Sequence, residues 1–170
     1  MRILGATALV LLLAAGVGQA EPLQTQVVDA RTGQPIEGAV VLGLWLRDGG
    51  PPVQAEGETD AQGRFSLDRP APVASPGGEF VIVYKDGYVV WNNVEVFQPT
   101  EQPPWYQPRQ DTRIPARILL EPFPANGNHA RHLWYIDSAT GASQRGWGQI
   151  PKFERAIQRE RDEALKKATP

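Results

Sequence analysis

Residues Gly57–Leu67 read GETDAQGRFSL. A polar knot, Thr59 to Gly63, stands directly before an alternating run. Phe65 and Leu67 fall on one face of an extended strand, and Arg64, Ser66 and Asp68 fall on the other. Asp60 is placed to accept hydrogen bonds from backbone N–H groups two or three residues on, which closes an Asx-type turn. Gly63 supplies the left-handed residue that ends a four-residue hairpin loop. A calcium loop of the EF-hand kind needs several oxygen ligands at alternating positions and a distal glutamate, and only Asp60 fits. The stretch is therefore a bend between strands, not a reactive site, and the fold it predicts is β.

The flanking sequence repeats the pattern. Gln26 to Ala30 predicts a strand, and Arg31-Thr32-Gly33-Gln34 a turn in which Gly33 takes positive φ. Ala39 to Leu46 is apolar and rich in Val and Leu. Its short length, with Gly38 and Gly43, favours a strand covered on both faces. Gly49-Gly50-Pro51-Pro52 is loop. Phe80 to Tyr84 predicts a buried strand, Lys85-Asp86-Gly87 a turn, and Tyr88 to Trp91 a strand pairing back. Val94, Val96 and Phe97 continue it. PTEQPPWYQPRQD, residues 99–111, is a Pro-rich connection, and Ile114, Ala116, Ile118 and Leu120 alternate as a last strand. Short strands separated by Gly/Pro turns predict an all-β, antiparallel sandwich.

The tail has another character. Residues 151–168 predict an amphipathic helix, with Pro151 in its first turn and Phe153, Ile157, Ala164 and Leu165 as a narrow apolar stripe. Asp162 with Lys166, and Glu163 with Lys167, have the i,i+4 spacing of favourable ion pairs. The stripe either docks the helix on the sandwich, the favoured reading because Phe153 and Ile157 need cover, or offers a face to a partner.

At the other end, Arg2, the apolar run Ile3–Leu13 and Gly18-Gln19-Ala20 predict a secretory signal cleaved after Ala20. The apolar run is shorter than the roughly 20 residues that span a bilayer, so no stable membrane insertion is expected after cleavage. The chain has no cysteine, which excludes disulfides, thiolate metal sites and a lipidated N-terminal cysteine. A periplasmic or secreted protein follows. Losing residues 1–20 removes Arg2 alone and moves the net charge from −2 to −3. That is too close to neutral to indicate a nucleic-acid partner. The expected division is residues 1–20 as signal, 21–122 as sandwich and 123–170 as a C-terminal extension.

VVDARTGQPIEGAVV, TDAQGRFSL, PGGEFVIVYKDGY and RILLEP together resemble the carboxypeptidase regulatory-like domain, over roughly residues 24 to 122. The resemblance implies a transthyretin-like, prealbumin-like Greek-key β-sandwich, comparable in architecture to immunoglobulin-like folds. It also implies a non-catalytic module. Its motifs are turns and core strands, and so speak to fold more than to function.

Three enzyme chemistries bear on these residues. A zinc carboxypeptidase needs a His-x-x-Glu pair, and neither histidine, His129 or His132, begins one. Hydroxyisourate hydrolases, which share the sandwich, carry a histidine near the first strand and a Tyr-Arg-Gly-Ser end. Here Ala30-Arg31 and Ala168-Thr169-Pro170 stand instead. PIEGAVVLGLWL and TDAQGRF are also similar to intradiol ring-cleavage dioxygenases, which hold iron with two tyrosines and a His-x-His pair. The pair here is HARH, whose spacing sends the rings to opposite faces of a strand. His129 and His132 are thus weak metal candidates, and neither a cofactor nor a catalytic residue is assigned.

Five tryptophans remain. Trp45 and Trp91 belong to strands and the core. Trp105-Tyr106, in the Pro-rich connection, and Trp134-Tyr135, in the tail, are the ligand-binding candidates; Trp147 also lies in the tail. Large rings can pin a tail to a sandwich or stack on a sugar or peptide. The expectation is an exported, non-catalytic binding module for a protein or glycan partner. The alternatives are a carbohydrate-binding module using these aromatics and a metal-dependent enzyme resembling the dioxygenases.

Overall fold

A computed structural model describes residues 21–48, 52–70, 78–100, 104–144 and 149–168, without the side chains of 141–144 and 167–168. The signal reading, Trp147 and the centre of the Gly49–Pro52 loop lie outside these residues.

Among the described residues, nine strands and three helices follow one another: β1 (Leu23–Asp29), β2 (Val40–Trp45), β3 (Val53–Glu58), β4 (Arg64–Leu67), β5 (Glu79–Tyr84), β6 (Trp91–Asn92), β7 (Glu95–Phe97), β8 (Tyr106–Pro108), β9 (Arg117–Leu120), α1 (His129–Gln144), α2 (Pro151–Ala156) and α3 (Gln158–Ala168). The protein is mostly β. One sheet has the order β4-β1-β9, a second β3-β2-β5-β6, and β7-β8 forms a separate ribbon. Pairing is antiparallel throughout except between β1 and β9, which run parallel with Val27 opposite Ile118. The all-antiparallel expectation is corrected at that pair, because β9 arrives after a long connection instead of a hairpin. No helix among the described residues is long and apolar enough to cross a membrane.

The opening stretch is a bend, as expected, but it does not close a hairpin. β3 pairs with β2 and β4 pairs with β1, so Thr59–Gly63 carries the chain from one sheet to the other. Asp60 Oδ1 accepts the Gln62 and Arg64 amides at 2.9 and 2.8 Å, and Gly63 has φ +70°. The Arg64 amide bond is the main reason the exposed Asp60 carboxyl sits below its usual value. Thr59 anchors the corner: its hydroxyl accepts the Ala39 amide and donates to the Ile36 carbonyl. Hydrogen-bond rules at the corner are satisfied locally, so strand pairing there is not needed.

Two apolar clusters hold the molecule together. In the first, Val27, Phe65, Leu67, Ile118 and Leu120 of the three-stranded sheet meet Val41, Trp45, Val81, Val83 and Trp91 of the four-stranded one. In the second, Val40, Leu42, Leu44, Ile82 and Tyr84 meet Tyr135, Ile136, Phe153 and Ile157 of the helices. Strand β2 belongs to both, and every residue in it is buried. Gly43 is required inside β2 because a Cβ there would lie 2.3 Å from the Trp45 ring.

The terminal helix forms over the expected residues but breaks at Ile157, dividing into α2 and α3. No side chain of its own caps α2. Glu56 of β3 does so, accepting the Phe153 and Lys152 amides at 2.8 and 3.2 Å. Phe153, Ile157 and Ala164 are buried as expected, whereas Leu165 is 66% exposed. The buried face runs on through the break as Phe153, Ile157, Glu160 and Ala164, so Glu160 takes an inward position and Leu165 lies off that face. Lys166 pairs with Glu163, not with Asp162.

Candidate functional site

The ribbon and the first helix together build the candidate site. Phe97 of β7 lies opposite Tyr106 of β8, and the Gln98 amide closes the ribbon on the Trp105 carbonyl. α1 lies against it. Asn128 caps this helix by accepting the Arg131 amide at 3.0 Å, the bond an N-cap makes to the third helical residue. From that start, His132, Tyr135, Ile136 and Thr140 recur on the buried face, and Trp134 falls beside them at the edge.

All four aromatic candidates converge here. Trp134 meets Trp105 edge-on with centroids 5.8 Å apart, and lies near-parallel to Tyr106 at 6.5 Å. Tyr106 is also 5.8 Å from Tyr135. Their burial separates their roles. Tyr135 is 2% exposed, stacks on Phe97 at 5.0 Å and accepts a bond from Asn92 at 2.6 Å. Burial, with the Glu95 charge second, pushes its phenol up, so it stays neutral. Tyr135 thus fastens α1 to the sheet. Trp105 is half-buried beneath the Arg131 guanidinium, 4.9 Å from its ring centroid. Tyr106 and Trp134 remain 36% and 50% exposed and form an aromatic strip open to solvent.

A cavity of about 170 Å³ lies between Phe80, Ile82 and Ala139, with Asn92, Asn93 and Glu95 at its edge, and Asn92 links it to the Tyr135 hydroxyl. The amides in it are largely committed. Asn93 accepts the Val81 amide and donates to the Glu79 and Thr112 carbonyls, acting as a strand neighbour to β5. Asn92 accepts the amides of Val94 and Glu95. The cavity therefore offers apolar surface and the Glu95 carboxylate more than unused amides.

The two histidines come together around a residue that sequence reasoning missed, Glu160. His129 Nδ1 is 2.7 Å from Glu160 Oε1, and His132 Nδ1 is 3.1 Å from the same oxygen, off the line of a straight hydrogen bond. Tyr84 Oη reaches Glu160 Oε2 at 3.4 Å. The Val90 amide donates to His132 Nε2 at 2.9 Å, so that nitrogen is an acceptor and the proton belongs on Nδ1. Burial pushes the Glu160 carboxyl up, but its contacts with His132 and His129 together hold it below its ordinary value. This set does not fit the iron of the dioxygenases. His132 is fully buried with one nitrogen spent on the backbone, and both Nδ1 atoms face a carboxylate. No group of three His, Asp or Glu among the described residues is arranged to hold a metal ion. What the cluster does is join α1, α3 and β5.

No protein-family model matches this chain, and no curated protein matches it. Among solved structures, a 9R-lipoxygenase from Cyanothece PCC8801 is similar over 65% of this chain and 18% of that one, with 16% identity and a TM-score of 0.31. The chain spans less than a fifth of that enzyme's length. So slight a likeness carries no argument.

Two signals for the missed residues stand in the sequence. Phe153, Ile157, Glu160 and Ala164 have the 4-3-4 spacing of one helix face, so Glu160 sits in an apolar stripe where a carboxylate must find partners. Asn128, one residue before the HARH motif, is a helix-start residue.

Proposed function

We propose that this chain is an exported, non-catalytic binding module: a two-sheet sandwich of the transthyretin-like, carboxypeptidase regulatory-like kind, whose C-terminal helices complete its ligand face. The observation that carries the reading is the exposure of Tyr106 and Trp134 side by side on rings otherwise packed into the fold. Burying a large ring is favourable, so two neighbours left half in water represent unspent apolar contact area. Tyr135 and Trp105 beneath them hold the strip rigid, which lowers the entropy lost on binding. The histidines are built into the fold: His132 Nε2 accepts the Val90 amide, its Nδ1 faces the Glu160 carboxylate, and Glu160 is shielded from solvent.

A glycan is the partner class favoured by the strip's geometry. Near-parallel exposed rings suit the flat apolar face of a sugar. The test is a glycan array, followed by titration of Trp fluorescence with each hit. Binding that Trp134→Ala removes, without a change in melting temperature, supports the proposal. Glycan binding that survives Trp134→Ala and Tyr106→Ala would remove the strip from consideration.

A further inference from the structure

A second cleft lies on the other side of the β7–β8 ribbon. It has a volume of about 370 Å³, within the size range of small-molecule sites. Its walls come from β9, whose Arg117 and Leu119 face away from the core, and from Trp91, Val96 and Arg109. Leu119 is 53% exposed, an unusual amount for a strand leucine at the mouth of a cleft.

The charges in this cleft do not cancel. Arg109 is half-buried, with its guanidinium 5.0 Å from the Trp91 ring centroid and its Nε donating to the Asn92 carbonyl. Those contacts fix the plane of the fork and leave its terminal nitrogens without an ion-pair partner. Among the described residues, no carboxylate lies within ion-pair range of Arg109 or Arg117. Burial lowers the Arg109 pKa, and no carboxylate charge opposes that shift. A partly desolvated cation with a fixed, unfilled fork is costly unless an anion joins it. Glu121 is the one carboxylate on the lining.

We propose that this cleft binds a small carboxylate with an apolar body. Its head group would be shared by Arg109 and Arg117, and its body laid against Leu119 and Val96. Arginine suits this head because its donors match the two carboxylate oxygens. The site is separate from the aromatic strip.

The test is calorimetric titration of the purified protein with octanoate, 3-phenylpropanoate and 1-octanol. Octanoate and 3-phenylpropanoate should bind saturably, with octanol about tenfold weaker or more, since it lacks the charge-assisted bonds. Arg117→Gln, at an exposed position, should weaken octanoate binding about fivefold or more and leave octanol unchanged. Arg109→Lys, which keeps charge but loses the fork, should also weaken it. Trp134→Ala should leave octanoate binding intact. Absence of saturable binding at millimolar octanoate, octanol binding as tightly as octanoate, wild-type affinity in Arg117→Gln, or loss of binding in Trp134→Ala would each overturn the assignment.

Discussion

Replacing Gly63 by alanine tests the reasoning about the corner between the sheets, and Gly33→Ala is its control. Both glycines have φ +70°. Forcing alanine into that region costs about 1–2 kcal/mol. The loss of unfolded-chain freedom returns about 0.4–1 kcal/mol. At Gly33 nothing lies within 4 Å of the added methyl, so a net loss of about 1 kcal/mol is the whole effect. At Gly63 the methyl would stand 2.3 Å from the Val27 carbonyl oxygen, 3.1 Å from Pro35 Cβ and 3.2 Å from the Ile36 amide nitrogen. None of these is the end of a flexible side chain. Relief requires β1 and the corner to part, yet the Val27 amide donates to the Gly63 carbonyl at 2.7 Å. Overpacking adds about 1–3 kcal/mol, and weakening that bond about 0.5–1.5 kcal/mol. Gly63→Ala should therefore destabilise by about 3–5 kcal/mol, some 2–4 kcal/mol more than the control. Urea unfolding followed by far-UV circular dichroism and Trp fluorescence measures both. Equal losses for the two variants, within about 0.5 kcal/mol, would refute the close-approach argument.

Three further outcomes follow from the same structure. Phe153, fully buried 6.1 Å from the Tyr84 ring, should cost about 3–5 kcal/mol in denaturant unfolding when changed to alanine. Glu56→Ala removes the side-chain cap of α2 and should cost about 1 kcal/mol, with faster amide exchange at Lys152 and Phe153. Glu160 has a lowered pKa in the folded state, so its contribution is present above the ordinary glutamate value and is lost as pH falls through the lower, folded one. Glu160→Gln should be less stable at neutral pH by about 1–3 kcal/mol and should flatten the acid limb of the stability profile. A wild-type acid limb in that variant would show that the cluster is not what titrates.

The sequence was informative where one residue type has one physical use. Asp60 and Gly63 announced the bend, and Phe65 and Leu67 their buried face, because turn geometry and strand alternation are local. It could not say which strand each neighbour would choose. β3 and β4 flank a short loop yet pair in different sheets, a choice made by long-range packing of Leu67 and Trp45, not by the loop. The strand expected from Ile114 is shorter, beginning at Arg117. α1 went unseen because its inward face mixes His132 and Thr140 with Tyr135 and Ile136, which blurs the apolar period. The four aromatics were legible as individuals. Their convergence was not, since it depends on α1 crossing the ribbon. His129 and His132 were read for metal, but their carboxylate neighbour comes from a helix some thirty positions later.

Strand Val40–Trp45 has no side that meets water. A polypeptide ending after residue 122 would leave Leu42, Leu44, Ile82 and Tyr84 as a bare apolar wall, with the helices that seal it missing. During synthesis that wall exists before its cover does, because the sealing residues emerge after it. The helices cover an apolar face that would otherwise lie open, and the interval before they dock is when a nascent chain carries that face bare.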